Sequence, residues 1–73
     1  MDWSRIEANW AHYKLLARQR WAQITVDDLD RIAGRREALA GRIADVYRLS
    51  AGAAQMQLES WQGQQREPEG GAT

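Results

Sequence analysis

The chain has 73 residues, ten Lys and Arg against ten Asp and Glu, one His and no Cys. That length allows one domain with a thin core. The zero net charge removes the overall attraction expected of a dedicated nucleic-acid or anionic-membrane binder. Without Cys there are no disulfides, thiol nucleophiles or Cys-ligated zinc, and the single His12 supplies no multi-histidine metal centre. No apolar run approaches the roughly 20 residues needed to cross a bilayer, and nothing resembles a signal peptide, so a cytoplasmic location is expected.

In chain order, Ser4-Arg-Ile-Glu7 reads as a capping box, in which hydroxyl and carboxylate satisfy backbone donors at a helix start. Trp3, Ile6, Trp10, Tyr13, Ala17 and Trp21 fall on one stripe at about 100° per residue. The pattern predicts a first helix over about 4–21 with an aromatic inner face. Thr25 caps a second, short helix. Asp27, Asp28 and Asp30 lie near its positive end, Val26, Leu29 and Ile32 form its buried edge, and Gly34 ends it. One kinked helix through residue 48 is the alternative, but Arg35 and Arg36 would then follow a mid-helix Gly without reason.

The third helix covers about 35–48 with Leu39, Ile43 and Val46 inward and Tyr47 flanking. Gly41 within it costs about 1 kcal/mol relative to Ala, which implies a second backbone close by. Ser50 caps a last helix over about 51–62, its inner face Ala51, Ala54, Leu58 and Trp61. Residues 63–73 hold no large apolar side chain and read as a disordered tail. No alternating β-branched or aromatic run reaches four positions, so the expected class is all-α, a bundle of four short helices over residues 1–62.

The residues Asn9-Trp10, Trp21-Ala-Gln-Ile-Thr25, Asp27-Asp28-Leu29, Ile32-Ala-Gly-Arg-Arg36, Leu39, Gly41, Ile43 and Tyr47 resemble the CsbD-like family of small bacterial general stress-response proteins. The resemblance spans about residues 3–61 without gaps. It implies a SAM-domain-like pair of crossed helical hairpins, a cytoplasmic protein that accumulates under stress, and no enzyme activity. Several positions depart from the family pattern. Leu15 and Leu16 replace a Gly-Lys pair, Ala22 replaces a Gly, and Arg48 stands where a Gly follows the Tyr. Leu15 lies roughly 140° from Trp10 on the helical wheel, outside the aromatic stripe, so Leu15 and Leu16 are candidates for self-association.

Other chemistry does not fit these residues. An EF-hand loop starting at Asp28 would need Gly and Glu where Ala33 and Leu39 stand. Gly34 and Gly41 are not followed by the Gly-Lys-Ser/Thr of a phosphate-binding loop. His12, Tyr13 and Lys14 are consecutive and diverge around a helix, so no nucleophile, base and orienting acid assemble. No catalytic residue, cofactor, metal or small-molecule substrate is therefore expected. The stretch Leu29–Ile43 resembles a helix-hairpin-helix unit, which makes Arg31, Gly34, Arg35 and Arg36 candidates for weak, sequence-independent nucleic-acid contact. Arg35 and Arg36 replace an apolar residue and a second Gly of that turn, and the nearby aspartates oppose a phosphate backbone. A membrane-surface role for the first helix would remove its aromatic stripe from the core. The partner itself, protein or second copy, is not identified by the sequence.

Overall fold

A computed structural model describes residues 2–66 as five helices and no strand. They are α1 (Trp3–Ala8), α2 (Trp10–Arg20), α3 (Val26–Ile32), α4 (Arg36–Tyr47) and α5 (Ala51–Gln64). Along the chain α1 packs on α2, α2 on α3, α3 on α4 and α4 on α5.

The expected first helix is two. At Asn9 the backbone leaves helical geometry (φ −114°, ψ 36°), and the Asn9 side-chain amide donates to the Arg5 carbonyl at 2.9 Å. An Asn side chain that bonds its own backbone competes with the helical ladder, and here it ends α1. The inward stripe survives the break: Ile6, Trp10, Tyr13, Ala17 and Trp21 are all buried, and Trp3 packs against them half-buried. The Ser4–Glu7 capping box does not form. Asp2 is the N-cap, without a side-chain cap bond, and Trp3 is already helical. Starting earlier turns the Trp3 indole inward, with its ring 6.5 Å from Trp10 and 6.1 Å from Trp61. Ring burial of that kind outweighs one capping bond of about 1 kcal/mol.

Residues 26–48 form two helices. Thr25 caps α3 by accepting from the Asp28 N–H at 3.1 Å. The turn after α3 uses two left-handed residues in succession, Ala33 (φ 52°) and Gly34 (φ 81°). Val26, expected inside, is 40% exposed at the open first turn of α3. Arg48 ends α4, also left-handed at φ 55°. That conformation explains why a Gly would suit the site, since a Cβ there crowds the following carbonyl.

Ser50 caps α5 through the Ala53 N–H at 3.1 Å. Ala54, Leu58 and Trp61 face inward, but Ala51 is exposed at the helix start. The helix runs two residues past its expected end at 62, so it takes in Gly63 and Gln64, and Gln65 then donates back to the Trp61 carbonyl at 2.9 Å. The rest of the expected tail, 67–73, lies outside the described residues. A Cβ at Gly41 would meet nothing within 4 Å. No second backbone approaches that glycine among the described residues.

Trp61 is the centre of the core. Besides Trp3 it meets Tyr13 edge-on at 6.5 Å and Trp21 at 5.5 Å. The buried ring donors find fixed acceptors: Trp10 Nε1 bonds the Leu29 carbonyl at 2.8 Å, and Trp21 Nε1 bonds Gln57 Oε1 at 3.0 Å. Among the described residues no buried side-chain polar atom lacks a partner. Ile24, between α2 and α3, is fully buried and was no part of the expected core.

Candidate functional site

The α3–α4 turn brings Arg31, Gly34, Arg35 and Arg36 together, but three of the four are engaged in holding the fold. Gly34 is buried beneath α1, where a Cβ would lie 2.9 Å from Glu7 Cγ and 3.0 Å from Glu7 Cα. Its carbonyl accepts from Trp3 Nε1 at 2.7 Å. Arg35 folds back onto its own turn: Nε donates to the Ile32 carbonyl at 3.1 Å and Nη2 to the Arg31 carbonyl at 3.0 Å. A guanidinium on the last carbonyls of α3 satisfies acceptors left over by the helix and opposes its negative end. Arg36 Nη1 donates to Gln55 Oε1 at 2.6 Å, tying the start of α4 to α5. Arg31 is exposed, and its guanidinium has no hydrogen bond or ion pair among the described residues. The close seat of Glu7 on Gly34 could not be read from the sequence, because it joins segments that no local spacing relates.

Leu15 and Leu16 separate. Leu16 packs against the core, whereas Leu15 is 58% exposed. A single exposed leucine on α2 is ordinary surface rather than an apolar patch. Next to it Lys14 Nζ meets Asp30 Oδ1 at 2.6 Å, an exposed pair linking α2 to α3. His12 is exposed, with the Tyr13 ring edge-on at 4.8 Å. The Tyr13 hydroxyl donates to the Arg66 carbonyl, and burial pushes its pKa above the ordinary 10.0 because desolvation disfavours the phenolate. The described residues hold no group of three or more His, Cys, Asp or Glu placed to bind a metal ion. No helix among them is long and apolar enough to cross a membrane.

The outer side of the α3–α4 pair carries a feature that sequence reasoning missed. An open cleft of about 320 Å³ runs between the two helices, with Ile32, Ala38 and Gly41 among its apolar lining. One ion pair spans it: Arg42 Nη2 lies 3.0 Å from Asp28 Oδ2, and Arg42 Nε donates to the same oxygen at 3.1 Å. Arg31 and Arg35 line one part of the cleft and Asp45 another. Glu37, Gly41 and Asp45 recur every four residues and so form one ridge along α4. Glu37 and Asp45 are exposed and unpaired among the described residues. The sequence signal for this face was Gly41 itself, a helix-interior glycine with no internal contact to justify it.

Comparison with known proteins returns bacterial relatives over most of the chain. A UPF0337 protein of Rhodopseudomonas palustris is 36% identical over 61 residues, which are 84% of this chain and 92% of the relative. One from Pectobacterium atrosepticum is 34% identical over 62 residues, 85% of this chain and 90% of that protein. One from Nitrosomonas europaea is 36% identical over 61 residues, and there the match spans only 65% of the relative's length. No family model matches, and no solved structure is similar enough to count as a match.

Proposed function

This chain belongs to the UPF0337 family, and on that footing we propose that it is a small, non-enzymatic, cytoplasmic protein of CsbD-like type that accumulates under general stress and acts through a protein-interaction surface. The observation that carries this reading is the match to UPF0337 proteins over most of the chain, joined to the CsbD-like residues along 3–61. The arrangement of helices accords with it. The α4–α5 pair is the most extensively packed, and α2 packs on α3, pairings that support a reading as two hairpins of SAM-like type. The polar groups of the interior also serve the fold: the indoles bond Gly34, Leu29 and Gln57, and Tyr13 bonds Arg66.

Weak nucleic-acid binding through the α3–α4 turn has less support. A phosphate at Gly34 would have to displace Glu7 and Trp3, and the Arg35 guanidinium is directed at carbonyls. The stress reading is tested by quantifying the protein in its host through stationary phase, osmotic upshift and oxidant exposure. The expected result is a several-fold rise in at least two of these conditions; a constant level in all three overturns it. Crosslinking in the same cells identifies what the protein touches.

A further inference from the structure

We propose that the outer face of α4 pairs with the same face of a second copy of this chain, forming a weak two-fold dimer in which each α4 ridge lies over the other copy's α3–α4 cleft. Charge on this face favours pairing with itself. Asp45 and Glu37 stand on the α4 ridge to either side of Gly41, Asp45 bordering the α3–α4 cleft and Glu37 the groove toward α5, while Arg31 and Arg35 line the cleft, and the side chains of Arg31, Glu37 and Asp45 have no partner among the described residues. A face that presents both signs side by side is complementary to itself under a two-fold rotation, which sets the ridge acids of each copy against the cleft arginines of the other. An acidic or basic foreign partner would match only half of it. The chain's equal numbers of acidic and basic residues mean that two copies do not repel as they approach.

The shape of the face favours it as well. Gly41 lies midway along the ridge between Glu37 and Asp45, with nothing within 4 Å of the place a Cβ would occupy. A helix with glycine at the crossing point lets another helix backbone come closer than a side chain would permit. The cleft beside it, with Ile32 and Ala38 in its lining, supplies the apolar contact. The cleft is open and its rim is charged, so the dimer forms at high concentration and weakens as salt rises.

The inference rests on the interaction-surface part of the function proposed above and not on accumulation under stress, which the abundance measurement decides separately. The test is sedimentation equilibrium of the full chain up to about 1 mM, in low salt and in about 0.5 M NaCl. Wild type is expected to dimerise in low salt and to shift toward monomer in high salt. Gly41→Leu fills open space, keeps the fold by circular dichroism, and weakens the dimer at least tenfold. Arg31→Glu does the same by charge, and combining it with Asp45→Arg restores association. Leu15→Lys, on α2, leaves the dimer unchanged. Should Gly41→Leu fail to fold, the exposed Arg31→Glu and its rescue decide alone. Wild type that stays monomeric at the highest concentration in low salt overturns the proposal. So does a dimer that Gly41→Leu and Arg31→Glu leave intact, or one that Leu15→Lys abolishes.

Discussion

Gly34 and Gly41 are seven residues apart in one helical hairpin, and they do opposite things. Gly34 is covered: α1 rests on it, the Trp3 indole bonds its carbonyl, and its left-handed φ of 81° suits no other residue well. Gly41 is bare, in ordinary helical geometry with open space above. The lesson concerns what a glycine signals. At the turn it is required by the fold, and on the ridge the fold would be better off without it.

The contrast between the aromatic interior and the open α3–α4 face can be broken or sharpened by substitution. Trp61→Ala strikes the ring on which Trp3, Tyr13 and Trp21 converge, and should cost about 3–5 kcal/mol in urea unfolding. A loss below 1 kcal/mol would mean that the rings do not form one core. Gly34→Ala adds left-handed strain to a clash with the Glu7 backbone, so a loss of about 2–3 kcal/mol is expected, with the tryptophan emission shifted to the red as α1 lifts.

The buried Tyr13 hydroxyl gives a pH-dependent version of the same comparison. Its folded pKa is above the unfolded value near 10, so the unfolded state loses its proton first as pH rises. The contribution of neutral Tyr13 is therefore fully present below about pH 10 and declines above it. Urea midpoints at pH 9 and 11 should fall further in wild type than in Tyr13→Phe; equal falls would place the ring in water. Smallest, and opposite in sign, are two gains. Gly41→Ala should stabilise by about 1 kcal/mol, because a helical alanine loses less chain entropy and meets no obstacle. Arg48→Gly should add about 0.5–1 kcal/mol by relieving a Cβ at φ 55°. Gains in thermal midpoint for both, beside the loss at Gly34, would confirm that the two faces answer to different demands.

The elements that were legible in advance are those whose signal is local. Period and caps gave α3, α4 and α5 nearly to the residue, since Thr25 and Ser50 act within one turn of themselves. The inward stripe from Ile6 to Trp21 was legible for the same reason, even across a break that the spacing does not reveal. What failed depends on contacts between distant segments. Ser4 was read as a cap because its neighbours fit the pattern, but the helix start is decided by where Trp3 finds Gly34, 31 residues away. Asn9 looked like any polar position on a helix until its side chain took a backbone carbonyl. Ile24 lies outside every periodic run, so nothing marked it as core. Of the candidate surface, the arginines at 31, 35 and 36 were found, but the engagement of Arg35 with Ile32 and of Arg36 with Gln55 was invisible, and nothing in the spacing marked Glu37 or Asp45.

The meeting of Trp3 with Trp61, and of Tyr13 with Arg66, closes the chain upon itself across nearly its whole length. In synthesis the first three indoles are made 40 or more residues before the fourth. Until Trp61 and the rest of α5 have been made those rings have no enclosure, so the core closes only at that point, and any aid that shields nascent aromatic surface would act within that interval.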